Sequence, residues 1–145
     1  MQLDETDHKL LGLLSENARE PVATLARKLN LARTTVQARL DRLENSGAIA
    51  AYTVQLGEIA RPRLRATALI SIEVRAGPSV LQKLKTLPAV ETVHTCSGRF
   101  DLIVQLAADS TAELDDTLDS IGEAKGVNSS ESLIHLSTRL SRTRT

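Results

Sequence analysis

Residues 22–47 read VATLARKLNLARTTVQARLDRLENSG, and this stretch decides the fold of the N-terminal part of the chain. Its apolar residues recur at helical spacing in two runs on either side of the short connection 30–32: Val22, Leu25, Ala26 and Leu29, then Val36, Leu40 and Leu43. Pro21 suits the first turn of the earlier helix, and Gly47 suits the end of the later one. The stretch therefore predicts two helices joined by a tight turn.

Another helix is predicted upstream, from an N-cap at Asp4 to Asn17, with Asp7 favouring the helix dipole. Its apolar face carries Leu10, Leu11 and Leu14. Three short helices with a tight turn before the last are typical of a helix-turn-helix, whose final helix enters the major groove of duplex DNA. A plain three-helix bundle would show the same leucine periodicity. The run GAIAAYTVQL at 47–56 predicts a short strand, which makes the unit winged-helix-like.

The last helix carries polar side chains away from its apolar stripe. Arg can bond guanine with two hydrogen bonds, Gln can bond adenine, and basic side chains neutralise phosphates. The predicted DNA-binding residues are Arg33, Thr34, Thr35, Gln37, Arg39 and Arg42. For Arg39 an alternative is equally open, in which it anchors the helix to a neighbour through an acidic side chain.

The composition is that of a globular chain: 145 residues, 41% hydrophobic and 25% charged, with a formal net charge of zero. The charges are unevenly placed, since residues 21–42 hold five basic residues and one acidic residue, whereas 109–123 hold six acidic residues and no basic one. A neutral chain can still bind DNA when its basic residues share a face. A solvated helix face is the ordinary alternative.

Several functions are disfavoured by what the chain lacks. One cysteine and three scattered histidines predict no disulfide, no metal site and no cofactor. One Tyr and one Phe argue against binding single strands by base stacking. No apolar run suits a membrane span and the acidic N-terminus does not resemble a signal peptide, so a cytoplasmic protein is expected. The basic end, residues 140–145, is predicted to be frayed.

After a linker predicted at 57–65, the pattern changes to alternation with period two. Strands are predicted at 66–75, 90–97, 100–106 and 133–138. Helices are predicted after Pro78, with Val80, Leu81, Leu84 and Leu87 inward, and after the capping box of Ser110 and Glu113. The order β-α-β-β-α-β predicts a ferredoxin-like domain over 66–145, so the chain as a whole is α+β, with the helix-turn-helix domain at 1–56.

One face of the predicted sheet lacks a helix to cover it. Ala66, Ala68 and Ile70 lie on one face of the first strand, whereas Leu69 and Ile103 lie on the other. Because large exposed apolar patches mark interfaces, a sheet-to-sheet homodimer is expected.

The combination resembles the leucine-responsive regulatory protein/asparagine synthase regulator (Lrp/AsnC) family over nearly the whole chain. The matching stretches are LDETDHKLLGLLSENAR, LARKLNLARTTVQARLDRLENSGAIAAYTVQL, LPAVETVHTCSGRFDLIVQL and GVNSSESLIHLSTRL. The resemblance implies a bacterial or archaeal transcriptional regulator that binds double-stranded DNA and is not an enzyme. It also implies dimers built through the C-terminal sheets, octamers assembled from them, and a small effector, usually an amino acid.

Three positions, at the starts of the second and third helices, depart from the family pattern. Ala32 stands where the family usually has a Ser capping the third helix, which weakens that cap by about 1 kcal/mol. Glu20 and Pro21 stand where the second helix usually begins with a polar cap preceded by an apolar residue.

The hairpin Gly98, Arg99, Phe100 and Asp101 matches the family's G-x-x-D loop, so the resemblance implies effector binding there. A carboxylate can hold an ammonium group, and Arg99 or turn amides can hold a carboxylate. The residue types by themselves favour an ordinary hairpin turn, with Asp101 bonded to its own backbone. His94 and Cys96 lie nearby and are expected to be a partly buried pair on the sheet rather than metal ligands.

Two other functions are weighed against the regulator. Enzymes that decarboxylate a modified haem precursor share this two-domain plan, but their chemistry needs clustered His and Arg, of which this chain offers His94, Arg99 and His135. A ligand-sensing partner protein that has lost DNA binding is compatible with Ala32 and Glu20, although the basic third helix argues against it.

Overall fold

The computed structural model describes residues 1–142, which divide into two compact units, residues 1–56 together with Arg142 and residues 57–141. The first unit contains three helices, α1 (Glu5–Glu16), α2 (Val22–Leu29) and α3 (Arg33–Asn45). Of the frayed end predicted at 140–145, residues 143–145 lie outside the described part. Among residues 1–142, no helix is both long enough and apolar enough to cross a membrane.

Local sequence signals set the helix boundaries of the first unit. Asp4 caps α1 and forms a capping box with Asp7, because each side chain accepts a hydrogen bond from the backbone N–H of the other. Asn30 ends α2 in the left-handed conformation at φ 55°, which turns the chain sharply into α3. The buried leucines and Val36 of the three helices form one core, as the periodicity predicts.

Two details of this unit differ from the prediction. Pro21 is the N-cap of α2 rather than part of its first turn. Residues 50–56 form no strand within the described structure, although a short strand is predicted there. Tyr52, Val54 and Leu56 remain 50%, 75% and 45% exposed. A strand is stabilised partly by a buried face, and the residues of this segment, 50–56, are all exposed.

The second unit is a four-stranded antiparallel sheet with two helices. Its elements are β1 (Leu64–Ile72), α4 (Gly77–Lys85), β2 (Val90–Thr95), β3 (Leu102–Ala108), α5 (Thr111–Glu123) and β4 (Val127–Ile134). The strand order β2-β3-β1-β4 places the first and third strands in the centre, and this is the predicted ferredoxin-like β-α-β-β-α-β topology. The α+β fold class is therefore confirmed.

The core of this unit lies between the helices and one face of the sheet. Alternate residues of the two central strands are buried there, together with Val80, Leu84, Leu114 and Ile121 of the helices. The intervening residues, which include Leu69 and Ile103, occupy the opposite face and are only half-buried. Leu81, which is predicted to point inward, is 38% exposed. Leu81 follows Val80 directly, and Val80 already takes the inward position on this helix.

Strand boundaries are where the prediction is least accurate. The first strand spans Leu64–Ile72 instead of 66–75, because Arg75 adopts a left-handed φ of 67° in the turn before α4. The last strand spans Val127–Ile134, whereas 133–138 is predicted. This strand lies at the sheet edge and nearly all its residues are exposed, so its sequence carries no alternating apolar signal. The second and third strands are shifted by two residues at the hairpin end.

Candidate DNA interface and effector site

Helix α3 presents the predicted DNA-binding side chains on its solvent side. Val36, Leu40 and Leu43 hold the helix against the core, which leaves Arg33, Thr34, Thr35, Gln37 and Arg42 exposed and Arg39 half-buried. Thr34, Thr35, Ala38, Arg39 and Arg42 line a shallow groove of about 450 Å³. The structure thus brings most of the predicted residues together on one face of one helix.

Gln37 has a partner within the helix itself. Its amide Nε2 donates a hydrogen bond to Oδ1 of Asp41 over 2.8 Å, one turn further along α3. This bond fixes the orientation of the amide. Its carbonyl oxygen and one N–H remain available, and an amide that offers both groups is what bidentate recognition of adenine requires.

The first turn of α3 has no side-chain cap, since Ala32 is the N-cap residue and makes no side-chain hydrogen bond. The departure from the family pattern at Ala32 is therefore a real loss of a capping bond. The turn geometry is kept by backbone bonds, from Val36 N to the carbonyl of Ala32 and from Leu31 N to that of Ala26.

An ionic cluster joins α3 to the start of α1. Nη1 of Arg39 donates to Oδ2 of Asp4 at 2.7 Å and to Oδ1 of Asp7 at 2.9 Å. Nη2 of Arg42 donates to Oδ2 of Asp7 at 2.7 Å. The structure shows the alternative considered for Arg39, in which it anchors α3 to a neighbouring helix through acidic side chains. Sequence reasoning assigned Asp7 only to the helix dipole and missed this role, because the partners are 32 and 35 residues away.

The cluster shifts the ionisation of its acids. Burial raises the pKa of the Asp7 carboxyl, but the N–H of Asp4 and the guanidinium groups of Arg39 and Arg42 outweigh that effect and hold it below its usual value. The hydrogen bond from Arg39 lowers the pKa of Asp4, and the two acids together raise the pKa of Arg39. Asp4, Asp7 and Arg39 are therefore charged at neutral pH.

The β2–β3 hairpin contains the residues of the predicted effector site. Gly98 adopts φ 119°, a conformation that side chains disfavour, so the turn requires glycine there. The backbone N–H of Asp101 donates to the carbonyl of Ile70, and Oδ2 of Asp101 accepts from the N–H of Ile72 at 2.9 Å. Asp101 therefore bonds the backbone of β1, and not its own backbone as the ordinary-turn alternative holds.

The guanidinium of Arg99 contacts an aromatic ring and a carboxylate. It stacks over the Phe100 ring at 5.0 Å from the centroid and forms an ion pair with Glu131 of β4 at 3.3 Å. Glu131 is a residue that sequence reasoning missed, since it is 32 residues away and lies in a strand placed wrongly by the prediction. A cation, an anion and an aromatic ring thus meet beside the hairpin.

His94 and Cys96 do not form a pair on one strand. His94 is exposed in β2 opposite Ile103, whereas Cys96 follows the strand and its thiol donates to the carbonyl of Phe100 at 3.1 Å. The described residues contain no group of three or more His, Cys, Asp or Glu that could hold a metal ion.

A helical unit with a polar, basic third helix, followed by a ferredoxin-like unit with a charged hairpin, defines a protein that combines nucleic-acid recognition with small-molecule binding. Residues 3–44 match the model of the AsnC-type helix-turn-helix domain, and residues 67–145 match that of the Lrp/AsnC ligand-binding domain. The chain belongs to the Lrp/AsnC family. It is a transcriptional regulator with a DNA-binding domain and a ligand-binding domain, and it is not an enzyme.

Similar proteins agree with this placement. The chain is 32% identical over 142 residues to an HTH-type transcriptional regulator of Pyrococcus horikoshii, covering 94% of each chain. It is 28% identical over 137 residues to the regulator LysM of Saccharolobus solfataricus, covering 94% and 95%. These relatives favour the regulator over the haem-precursor decarboxylase.

Solved structures show the same architecture. AsnC of E. coli superposes with a TM-score of 0.90 at 23% identity, covering 99% of this chain and 98% of that one. The regulator NMB0573 of Neisseria meningitidis, solved as a complex with L-Met, superposes with a TM-score of 0.89 at 25% identity, covering 99% and 96%.

Proposed function

We propose that the protein is a sequence-specific regulator of transcription, whose DNA affinity or assembly is changed by an amino-acid effector. The observation that carries the proposal is the solvent side of α3, where threonine hydroxyls and arginine guanidinium groups line one groove and the Gln37 amide is also exposed. These are the groups that read base edges and neutralise phosphates in the major groove. Since chromosomal DNA is the target, the cytoplasm is the proposed place of action.

Recognition is assigned to residues near the start of α3. In a helix-turn-helix the N-terminal side chains of the recognition helix reach the base edges. Arg33, Thr34 and Thr35 occupy that first turn, and Gln37 follows two residues after Thr35. Arg42 adds a positive charge nearer the other end. Arg39 remains a candidate, but its bonds to Asp4 and Asp7 support an anchoring role for it.

The effector site is assigned to Gly98, Arg99, Phe100 and Asp101. The free oxygen of Asp101 suits an ammonium group, while Arg99 suits a carboxylate, so the two charges match the backbone of an amino acid. The L-Met complex of the similar Neisseria regulator supports this ligand class. Because Arg99 already pairs with Glu131, an effector carboxylate must compete with that ion pair.

A homodimer through the uncovered sheet face is proposed, with octamers built from such dimers. Leu69 and Ile103 are paired neighbours at the centre of that face and are only half-buried, and Leu133 on the adjoining edge strand is 51% exposed. A second copy would cover these side chains. In such a dimer the two recognition helices should reach half-sites about 34 Å apart, or a multiple of that spacing.

The test is binding of the purified protein to duplex DNA from just upstream of its own coding region, against random duplex. Tight binding that beats random duplex and weakens with salt is expected, and it should change when single amino acids are added in turn. The matched variant Arg33→Ala with Arg42→Ala should lose this preference. Equal binding of operator and random DNA by the wild type, at this and other promoters, would instead support the ligand-sensing partner without DNA recognition.

A further inference from the structure

Asp7 is the most deeply buried charged group of the DNA-binding unit. Its side chain is 0% exposed, and its two oxygens accept hydrogen bonds from Arg39, Arg42 and the backbone of Asp4. A buried carboxylate is costly unless it is paired and hydrogen-bonded. Any movement of Arg39 or Arg42 away from Asp7 is therefore opposed, and the two guanidinium groups are fixed relative to the helical core.

The two arginines are fixed in different ways. Arg39 is 25% exposed, and its single Nη1 atom faces both Asp4 and Asp7, so its charge is compensated by two carboxylates. Arg42 is 48% exposed and shares only one carboxylate. Apart from Nη2, the nitrogens of Arg42 make no hydrogen bond to any residue within 1–142. The half-exposed guanidinium of Arg42 thus keeps N–H donors that are free to bind a ligand.

The position of Arg42 along α3 suits a phosphate better than a base. It follows Arg33 by nine positions on the same helix, which at 1.5 Å per residue is about 14 Å along the axis. In the homeodomain variant of the helix-turn-helix, the C-terminal end of the recognition helix contacts the DNA backbone, and Arg42 lies in the corresponding part of α3.

We propose that Asp7 is a positioning residue for DNA binding, which holds Arg42 so that its free donors meet a backbone phosphate, whereas Arg39 clasps α3 to α1. The inference rests on the proposed function, since it assigns separate roles within the same DNA interface. It predicts that an acidic side chain contributes to the affinity for a polyanion.

The first test is the salt dependence of binding to the operator for single variants of the full-length chain. Each neutralised phosphate adds about 0.9 to the slope of log affinity against log salt. Arg42→Gln should reduce the magnitude of this slope by about 0.9, whereas Arg39→Gln should mainly lower thermal stability and change the slope less than Arg42→Gln does. Arg75→Gln in the second unit is the control that removes the same charge from the chain.

The second test uses the acids themselves. Asp7→Asn makes the chain more positive and should nevertheless weaken operator binding, because Arg42 is no longer held. Asp4→Asn changes the charge equally, keeps a good N-cap and leaves the bond between Asp7 and Arg42, so it should cost less affinity. In the double variant, Asp7→Asn should add no further loss to Arg42→Gln.

The outcomes separate the inference from the proposed function. An unchanged slope for Arg42→Gln, or tighter binding by Asp7→Asn while circular dichroism shows the unit folded, overturns the inference. The inference is also overturned if Asp7→Asn lowers operator affinity as much in the Arg42→Gln variant as it does in the wild type. Failure of the wild type to prefer operator over random duplex contradicts the proposed function instead, and is seen before any variant is compared.

Discussion

The carboxylate of Asp101 holds the end of strand β1, because its Oδ2 atom accepts a hydrogen bond from the backbone N–H of Ile72 at 2.9 Å. The same residue is the proposed partner of an effector ammonium group. One side chain thus combines a structural bond with a charge that is available for ligand binding. The two contributions can be separated by substitution, since the bond needs an acceptor and the ligand needs a charge.

Asp101→Asn should keep the acceptor for Ile72 and remove the charge. We expect the free energy of unfolding to change by less than about 0.5 kcal/mol, while amino-acid binding measured by calorimetry is lost. Asp101→Ala should lose both and lower the free energy of unfolding of the second unit by about 1 kcal/mol, measured in urea. Full effector binding by Asp101→Asn would rule out the ammonium contact.

Tyr52 should titrate abnormally. Partial burial, together with the hydrogen bond of its hydroxyl to Glu44 at 2.7 Å, raises the pKa of Tyr52 to about 12. It is the chain's one tyrosine and there is no tryptophan, so ultraviolet absorbance reports it directly. Because the pKa of Tyr52 is higher in the folded than in the unfolded chain, its protonated hydroxyl stabilises the folded state. This contribution is full below the unfolded pKa of about 10 and is lost as the pH rises towards 12.

Glu44→Gln provides the check on Tyr52. It removes the negative charge but keeps an acceptor, so the pKa of Tyr52 should fall below that of the wild type and stay above the unfolded value, because burial remains. If Tyr52 of the folded wild-type protein titrates at the same pH as in the unfolded chain, its hydrogen bond to Glu44 is contradicted.

Gly126 should not tolerate a side chain. It adopts φ 96° immediately before β4, and a Cβ atom there would lie 2.7 Å from Cβ of Ala76. Gly126→Ala should lower the free energy of unfolding by about 2 kcal/mol or more, from backbone strain and overlap together. Gly57→Ala is the matched control, since nothing lies within 4 Å of its added Cβ, and urea midpoints of the two variants should differ clearly.

Ala32→Ser should stabilise the first unit. A Ser at this N-cap position can accept a hydrogen bond from an amide of the first turn of α3, which now has no side-chain partner. The expected gain is about 1 kcal/mol, seen as a higher melting temperature. Ala38→Ser, in the interior of the same helix, makes the same chemical change without a cap and should be slightly destabilising. Equal effects of the two substitutions would show that capping is not the cause.

Local signals predicted the helices and the first three strands, but they misplaced the last strand. Asp4 and Ser110 are caps as expected, because each bonds a backbone amide three residues away. The edge strand β4 was misplaced because its residues are exposed on both faces and follow no apolar period. Leu136 lies inside the predicted strand 133–138 but beyond the end of β4, and it is 96% exposed. Pairing with β1, not composition, sets that strand.

The sites divide in the same way. The exposed residues of α3 follow from the helical period, and the hairpin follows from its residue types and the family resemblance. Asp7 and Glu131 could not be found like this, because each meets its arginine across more than thirty residues of sequence. Long-range ion pairs leave no periodic trace in a single sequence. The sequence allowed an ion pair between Arg39 and an acidic side chain, but it did not identify Asp4 and Asp7 as the partners.

The two hydrophobic cores of the chain share no residue, since one is built from residues between Leu3 and Ile49 and the other from residues between Leu64 and Val127. A mutation that loosens one core leaves the packing of the other intact. Substitutions in the first half can therefore alter the proposed operator preference, and substitutions in the second half the proposed effector preference. If both proposals hold, evolution can connect this chain to another gene while it keeps the same effector.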